Sequence, residues 1–153
     1  LMQPIGIGLV IVSIVPAALW ALVFVRRFRQ RQRRESALRL RLHERAALDE
    51  LRALDVEDEA GRRVAYDQLS ALVRGHVSSA WGVSADGLTP DEIAVALSAQ
   101  GHSDASTEAV LFLDTCDKAR YGMPEELPSR DACRTAIDQA EELMGLDSVL
   151  GQA

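Results

Sequence analysis

The apolar positions of this chain follow two different patterns. From Ile5 to Val25 the sequence IGIGLVIVSIVPAALWALVFV contains no ionisable side chain over 21 residues, and as a helix such a run extends about 31 Å at roughly 1.5 Å per residue. None of its faces is polar, whereas a soluble helix of that length needs a polar face. The run therefore predicts a single transmembrane helix within residues 1–25. From residue 46 onward, apolar residues recur three or four apart, the period of amphipathic helices, and no alternating β-branched run argues for a strand.

Leu38, Leu42, Ala46, Leu48, Leu51 and Leu54 form a stripe that predicts continuation of the first helix beyond the span. Ala65, Leu69, Leu72, Val73, Val77, Ala80 and Trp81 predict the buried face of a helix over Glu57–Trp81, ended by Gly82. A connection over Val83–Leu88 follows, with a turn at Ala85-Asp86-Gly87. Thr89-Pro90-Asp91-Glu92 is a helix start: Thr caps, Pro takes the first helical position and Glu92 reaches back to the capping residue. That helix turns Ile93, Ala94 and Leu97 inward and stops near Gly101. The next, from about Ser106 to Tyr121, turns Ala109, Phe112, Leu113, Cys116 and Ala119 inward and stops at Gly122. Pro124 and Pro128 bracket a loop, and Ser129 caps a last helix that buries Cys133, Ala136, Ile137, Ala140, Leu143 and Met144. The predicted fold class is all-α, a single transmembrane helix extending into a small cytoplasmic helical bundle of about 100 residues. The predicted organisation is a transmembrane helix over 1–25, an Arg-rich juxtamembrane segment over 26–45, a helical bundle over 46–145 and a flexible tail over 146–153.

Charge orients this arrangement. The 153 residues carry 17 Lys plus Arg against 23 Asp plus Glu, a formal charge of −6. That figure divides into 0 over residues 1–25, +7 over residues 26–45 and −13 over the remainder. A cleaved signal peptide places positive charge ahead of its apolar run, whereas here Arg26, Arg27, Arg29, Arg31, Arg33 and Arg34 follow it. The order predicts an amino terminus outside and a carboxy-terminal domain in the cytoplasm. Anionic lipid headgroups are the nearest partner for the Arg collar, and nucleic acid is not expected, because stacking aromatics and a recognition motif are missing. Ser13, Ala17 and Ala21, four apart, either admit close approach of another membrane helix or reflect the ordinary composition of such helices. Leu1 is compatible with a start at Met2, a non-standard start codon or the interior of a longer protein.

Candidate chemistry adds little. With 10 Gly, 5 Pro and 2 Cys, the composition excludes a collagen, a low-complexity tail and a disulfide scaffold. Cys116 and Cys133 lie on apolar faces and read as buried reduced thiols. His43, His76 and His102 are scattered, and no Cys and His set has zinc-ligand spacing. Glu57-Asp58-Glu59 and Glu125-Glu126 suit helix starts and loops. No catalytic, metal or cofactor residue is expected. Asp117, Arg120 and Tyr121 are less generic: the first two pair three apart on a helix and Tyr121 folds its ring over the end of the bundle with its hydroxyl in water, which reads either as helix-end packing or as a candidate partner-binding edge.

Leu69–Val73, Leu88-Thr89-Pro90-Asp91-Glu92 and Cys116-Asp117-Lys118-Ala119-Arg120-Tyr121, behind a single span and an Arg-rich exit, resemble the carboxy-terminal region of BatD-type proteins over roughly residues 65–145. Related domains occur beside MoxR-type AAA+ ATPases and von Willebrand factor A proteins in bacteria. The resemblance implies a non-enzymatic component of an assembly or chaperone-like system in the bacterial cytoplasmic (inner) membrane. This chain departs from the family by lacking the large extracytoplasmic β-domains, being either a truncated relative or a piece beginning after them. The first functional expectation is a single-pass membrane adaptor or scaffold whose cytoplasmic helical domain binds membrane or cytoplasmic proteins. A second is an accessory structural subunit stabilising a large energy-converting membrane complex, respiratory or photosynthetic. An enzyme using the carboxylates is the third.

Overall fold

A computed structural model describes the backbone over residues 4–145, with the side chains at 4–23, 28, 30, 31, 33, 34, 104 and 105 outside the described set. Among the described residues the elements in chain order are α1 (Pro4–Ala53), α2 (Glu59–Trp81), α3 (Pro90–Ala99), α4 (Ser103–Tyr121), a 3₁₀ turn (Pro124–Glu126) and α5 (Arg130–Leu143), with no strand. The chain divides into two compact units, Leu1–Arg41 and Leu42–Ala153.

The expected transmembrane helix, and the membrane and single-pass assignments built on it, require correction. Among the described residues no helix is long and apolar enough to cross a membrane. The described side chains of α1 include Arg26, Arg27, Arg29, Arg39, Arg41 and Arg45, and each Arg at the centre of a bilayer costs about 2.5–3.5 kcal/mol. The side chains of residues 5–23 on which the expectation rested, Ser13, Ala17 and Ala21 with them, lie outside the described set, as do those of Arg31, Arg33 and Arg34 and the tail over 146–153.

Local signals account for most helix boundaries in the second unit. Asp58 caps α2 by accepting from the Gly61 amide at 2.7 Å, and α2 ends where Gly82 turns left-handed at φ 69°. Thr89 and Glu92 form the reciprocal capping box of α3, with the Thr89 amide 2.8 Å from Glu92 Oε2. Ser129 accepts from the Ala132 amide at 3.2 Å to start α5. The start of α4 departs from expectation, at Ser103 rather than Ser106. Ser106 is buried inside the first turn with its hydroxyl donating to Ser103 O at 2.6 Å, and His102, the capping residue, makes no side-chain cap.

Helix α4 packs against α2, α3 and α5, and α2 also meets α5. The core between them is built from Ala65, Tyr66, Leu69, Val73 and Val77 of α2, Ile93 and Leu97 of α3, Ala109, Phe112, Leu113, Cys116 and Ala119 of α4, and Cys133, Ala136, Ile137 and Ala140 of α5. Each fully buried Leu, Ile or Val there contributes about 1.5–3 kcal/mol. Two sequence expectations shift. Ala80 is exposed, while Tyr66 is buried. The stripe on α1 holds in its second half only: Leu48 and Leu51 enter the core with Leu54 packed against it, whereas Leu38 and Leu42 are 58% and 60% exposed, Ala46 is exposed too, and Glu44 takes the buried position one turn before Leu48.

Candidate partner-binding site

Helix α2 places Arg63, Asp67, Ser70 and Arg74 four, three and four residues apart, a polar stripe along one face. The first member secures the end of α4. Arg63 Nη1 donates to Ala119 O at 3.3 Å and Arg120 O at 2.9 Å, its Nη2 donates to Gly122 O at 3.2 Å, and its Nε pairs with Glu59 at 3.0 Å. The last carbonyls of a helix have no partner of their own and carry the negative end of its dipole, so a guanidinium aimed at them is the natural terminator. The Gly122 amide closes the turn on Lys118 O at 2.8 Å. A side chain at 122 has no room, because a Cβ there would lie 2.4 Å from that same carbonyl oxygen.

The rest of the stripe carries an alternating chain of charges. Asp67 meets Arg120 at 2.6 Å, Arg120 meets Asp117 at 3.6 Å, and Asp117 meets Arg74 at 3.7 Å. Arg74 then donates to Ala85 O at 3.0 Å and Leu88 O at 2.5 Å, fastening the connection between α2 and α3. The pairs are partly exposed, Asp67 most of all, so water screens them to about 1 kcal/mol or less each, and the network fixes positions more than it adds stability. Its outcome is the placement of Tyr121. The ring is 77% exposed, with the Arg120 guanidinium 4.9 Å above its centroid. Tyr121 therefore does not fold over the end of the bundle as expected: the ring is presented outward, and Met123 beside it in sequence is 64% exposed. Of the sequence candidates, Asp117, Arg120 and Tyr121 do come together. Arg63, Asp67 and Arg74 were missed, because a polar stripe on an amphipathic helix reads as a solvated face.

A second constellation also escaped the sequence. Glu44 is 2% exposed, and its Oε1 lies 2.8 Å from His76 Nδ1, while Oε2 is buried without a partner. His76 meets Trp81 edge-on at 5.5 Å between centroids, and Trp81 stacks on His102 at 6.1 Å. Two of the three scattered histidines are thus organised around one Trp. Among the described residues no group of three or more His, Cys, Asp or Glu side chains is placed to hold a metal ion. Cys116 and Cys133 are free and buried; burial pushes the Cys116 thiol up to about 12 and raises that of Cys133. Burial likewise raises the Tyr66 phenol above its ordinary range.

The family model described as a domain of unknown function (DUF4381) matches residues 2–143. Comparison with curated proteins and with solved structures gives no match.

Proposed function

We propose a function for a chain that belongs to the DUF4381 family: it is a non-enzymatic adaptor whose helical unit binds a protein partner at the Arg120–Tyr121 corner. The observation that carries this reading is the presentation of Tyr121. An aromatic ring 77% exposed beside a 64% exposed Met123 leaves apolar surface in water, and the folded chain spends Arg63, Asp67, Asp117 and Arg74 on holding the backbone and Arg120 beneath it. Tyr and Arg are the residue types that dominate binding energy at protein interfaces, most strongly when held in position before contact. A rigid frame lowers the ordering cost that a mobile anchor would pay on binding.

The resemblance to BatD-type carboxy-terminal regions supports MoxR-type AAA+ ATPases and von Willebrand factor A proteins as the partners to test. The full chain and its Tyr121→Ser/Met123→Ser variant are titrated against each purified candidate. Loss of a tyrosine anchor costs about 2 kcal/mol or more, so affinity falls at least roughly 30-fold while the helical circular dichroism is unchanged. Equal affinity of the two proteins would remove the corner from the interface.

A further inference from the structure

A different surface, between α4 and α5, has the shape and charge of a groove for a helix. Glu108, Leu111, Phe112 and Thr115 follow one another along one face of α4, and Ala136, Gln139 and Leu143 do so on α5. The two stripes enclose an open cavity of ≈ 340 Å³, with Tyr66 and Cys116 also lining it. Ala136 is a small residue among larger ones in this lining. The α4 stripe spans about 10 Å at roughly 1.5 Å per residue, two turns, and Leu111 on it is 64% exposed. Two side chains at i and i+4 of a helix stand about 5–6 Å apart, within the span of the α4 stripe.

The acids at this groove set the sign of the occupant. Most carboxylates nearby along the same helices are neutralised within the fold: Asp114 by Lys118, Asp117 by Arg74 and Arg120, and Glu141 and Asp138 by Arg52. Glu108 on α4 and Glu142 on α5 both line the groove, both are exposed, and neither has an ion-pair partner among the described residues. They sit in a stretch of chain that carries −13 beyond residue 45. We infer that this groove receives a basic amphipathic helix of a partner protein, with two large apolar side chains at i and i+4 entering between α4 and α5 and flanking Lys or Arg meeting Glu108 and Glu142. The helix-in-groove mode gains apolar burial from the anchors, and orientation from the charges at the rim. This inference does not depend on the Tyr121 corner.

The test uses the full chain and a fluorescein-labelled synthetic 16-residue Lys/Leu helix with leucines at i and i+4, read by anisotropy at about 150 mM salt, where the Debye length is about 8 Å. Leu111→Lys and Glu108→Lys/Glu142→Lys each weaken binding at least tenfold, and the second variant gains affinity for the matching Glu/Leu peptide. Reversal at Asp86 and Glu125, exposed acids elsewhere on the same unit, changes affinity less than twofold, and Tyr121→Ser binds the peptide like the parent. Three results overturn the inference. They are absence of saturable binding, an equal loss from the Asp86 and Glu125 reversal, and concentration-dependent self-association abolished by Leu111→Lys, which would assign the groove to a second copy of this chain. Circular dichroism of each variant excludes unfolding as the cause.

Discussion

Replacing Arg63 by Met keeps the length and apolar stem of the side chain and removes the guanidinium that terminates α4. Three carbonyls lose their donor, Ala119 O at 3.3 Å, Arg120 O at 2.9 Å and Gly122 O at 3.2 Å, and the pair with Glu59 is lost as well. Hydrogen bonds from a charged donor contribute about 1.5–3 kcal/mol each where water is excluded. The Arg63 side chain is 27% exposed, so water reaches the released carbonyls. The summed loss then falls to about 2 kcal/mol, of which the Glu59 pair supplies no more than a few tenths. For a unit of about 100 residues that lowers Tm by about 8 °C or more. Arg63→Lys retains the charge near the helix end, worth about 0.3–1 kcal/mol, but offers a point donor in place of a fork and falls between the two. Urea unfolding followed by circular dichroism measures all three. Hydrogen exchange at the Gly122 amide, bonded to Lys118 O, reports the local loosening. Equal stability of the parent and Arg63→Met to within about 0.5 kcal/mol, the range of ordinary surface substitutions, would show that the guanidinium does not secure the end of α4.

Thr89→Ala removes the cap of α3 and lowers stability by about 1 kcal/mol, measured by urea midpoint. Hydrogen bonds from the Thr89 backbone and then its hydroxyl hold the Glu92 carboxyl below its ordinary value of 4.5. A depressed folded value stabilises the native state above the ordinary range, and that contribution is lost as pH falls through the folded value. Glu92→Gln therefore flattens the acid side of the stability curve, and an unchanged acid limb would count against the capping box. Cys116, pushed up to about 12, and buried Cys133 stay unreactive toward a disulfide reagent at pH 8 in the folded chain, and both react on unfolding; rapid labelling of the native protein would contradict their burial. Glu44→Leu leaves His76 without its carboxylate and costs about 1–3 kcal/mol. Glu44→Gln keeps the side chain's shape and an acceptor for His76, so it costs less than the Leu variant by urea titration; the reverse order would be evidence against the buried pair.

The inward faces of α2, α3, α4 and α5 were legible because each rests on a repeated three-and-four spacing, and the caps at Thr89 and Ser129 because they are local chemistry. The stripe on α1 was legible in its second half, where Leu48, Leu51 and Leu54 meet the core, and not in its first: Leu38, Leu42 and Ala46 continue the same spacing but are exposed, and the buried position one turn before Leu48 is a carboxylate, Glu44. Nothing local marks Glu44 as buried within an Arg-rich stretch, since its partner His76 is 32 positions away. The network at the Arg120–Tyr121 corner was legible in part. Asp117 and Arg120 pair within one helix, but the residues that fix them, Arg63, Asp67 and Arg74, belong to another, and a stripe on α2 gives no sign of which helix end it faces. Nothing local decides whether the Tyr121 ring folds over the end of the bundle or faces outward; it is exposed where α4 stops, the Gly122 amide bonding to Lys118 O.

A photo-crosslinking amino acid placed at position 121 in cells reports whether the Arg120–Tyr121 corner is where this protein meets its partner. Position 95 on α3, where Val95 is 71% exposed, provides the comparison. One discrete protein adduct is expected from position 121, identified by mass spectrometry as a MoxR-type ATPase or von Willebrand factor A protein, and none from position 95. No adduct at 121, or the same adduct from both positions, would contradict a partner contact at this corner.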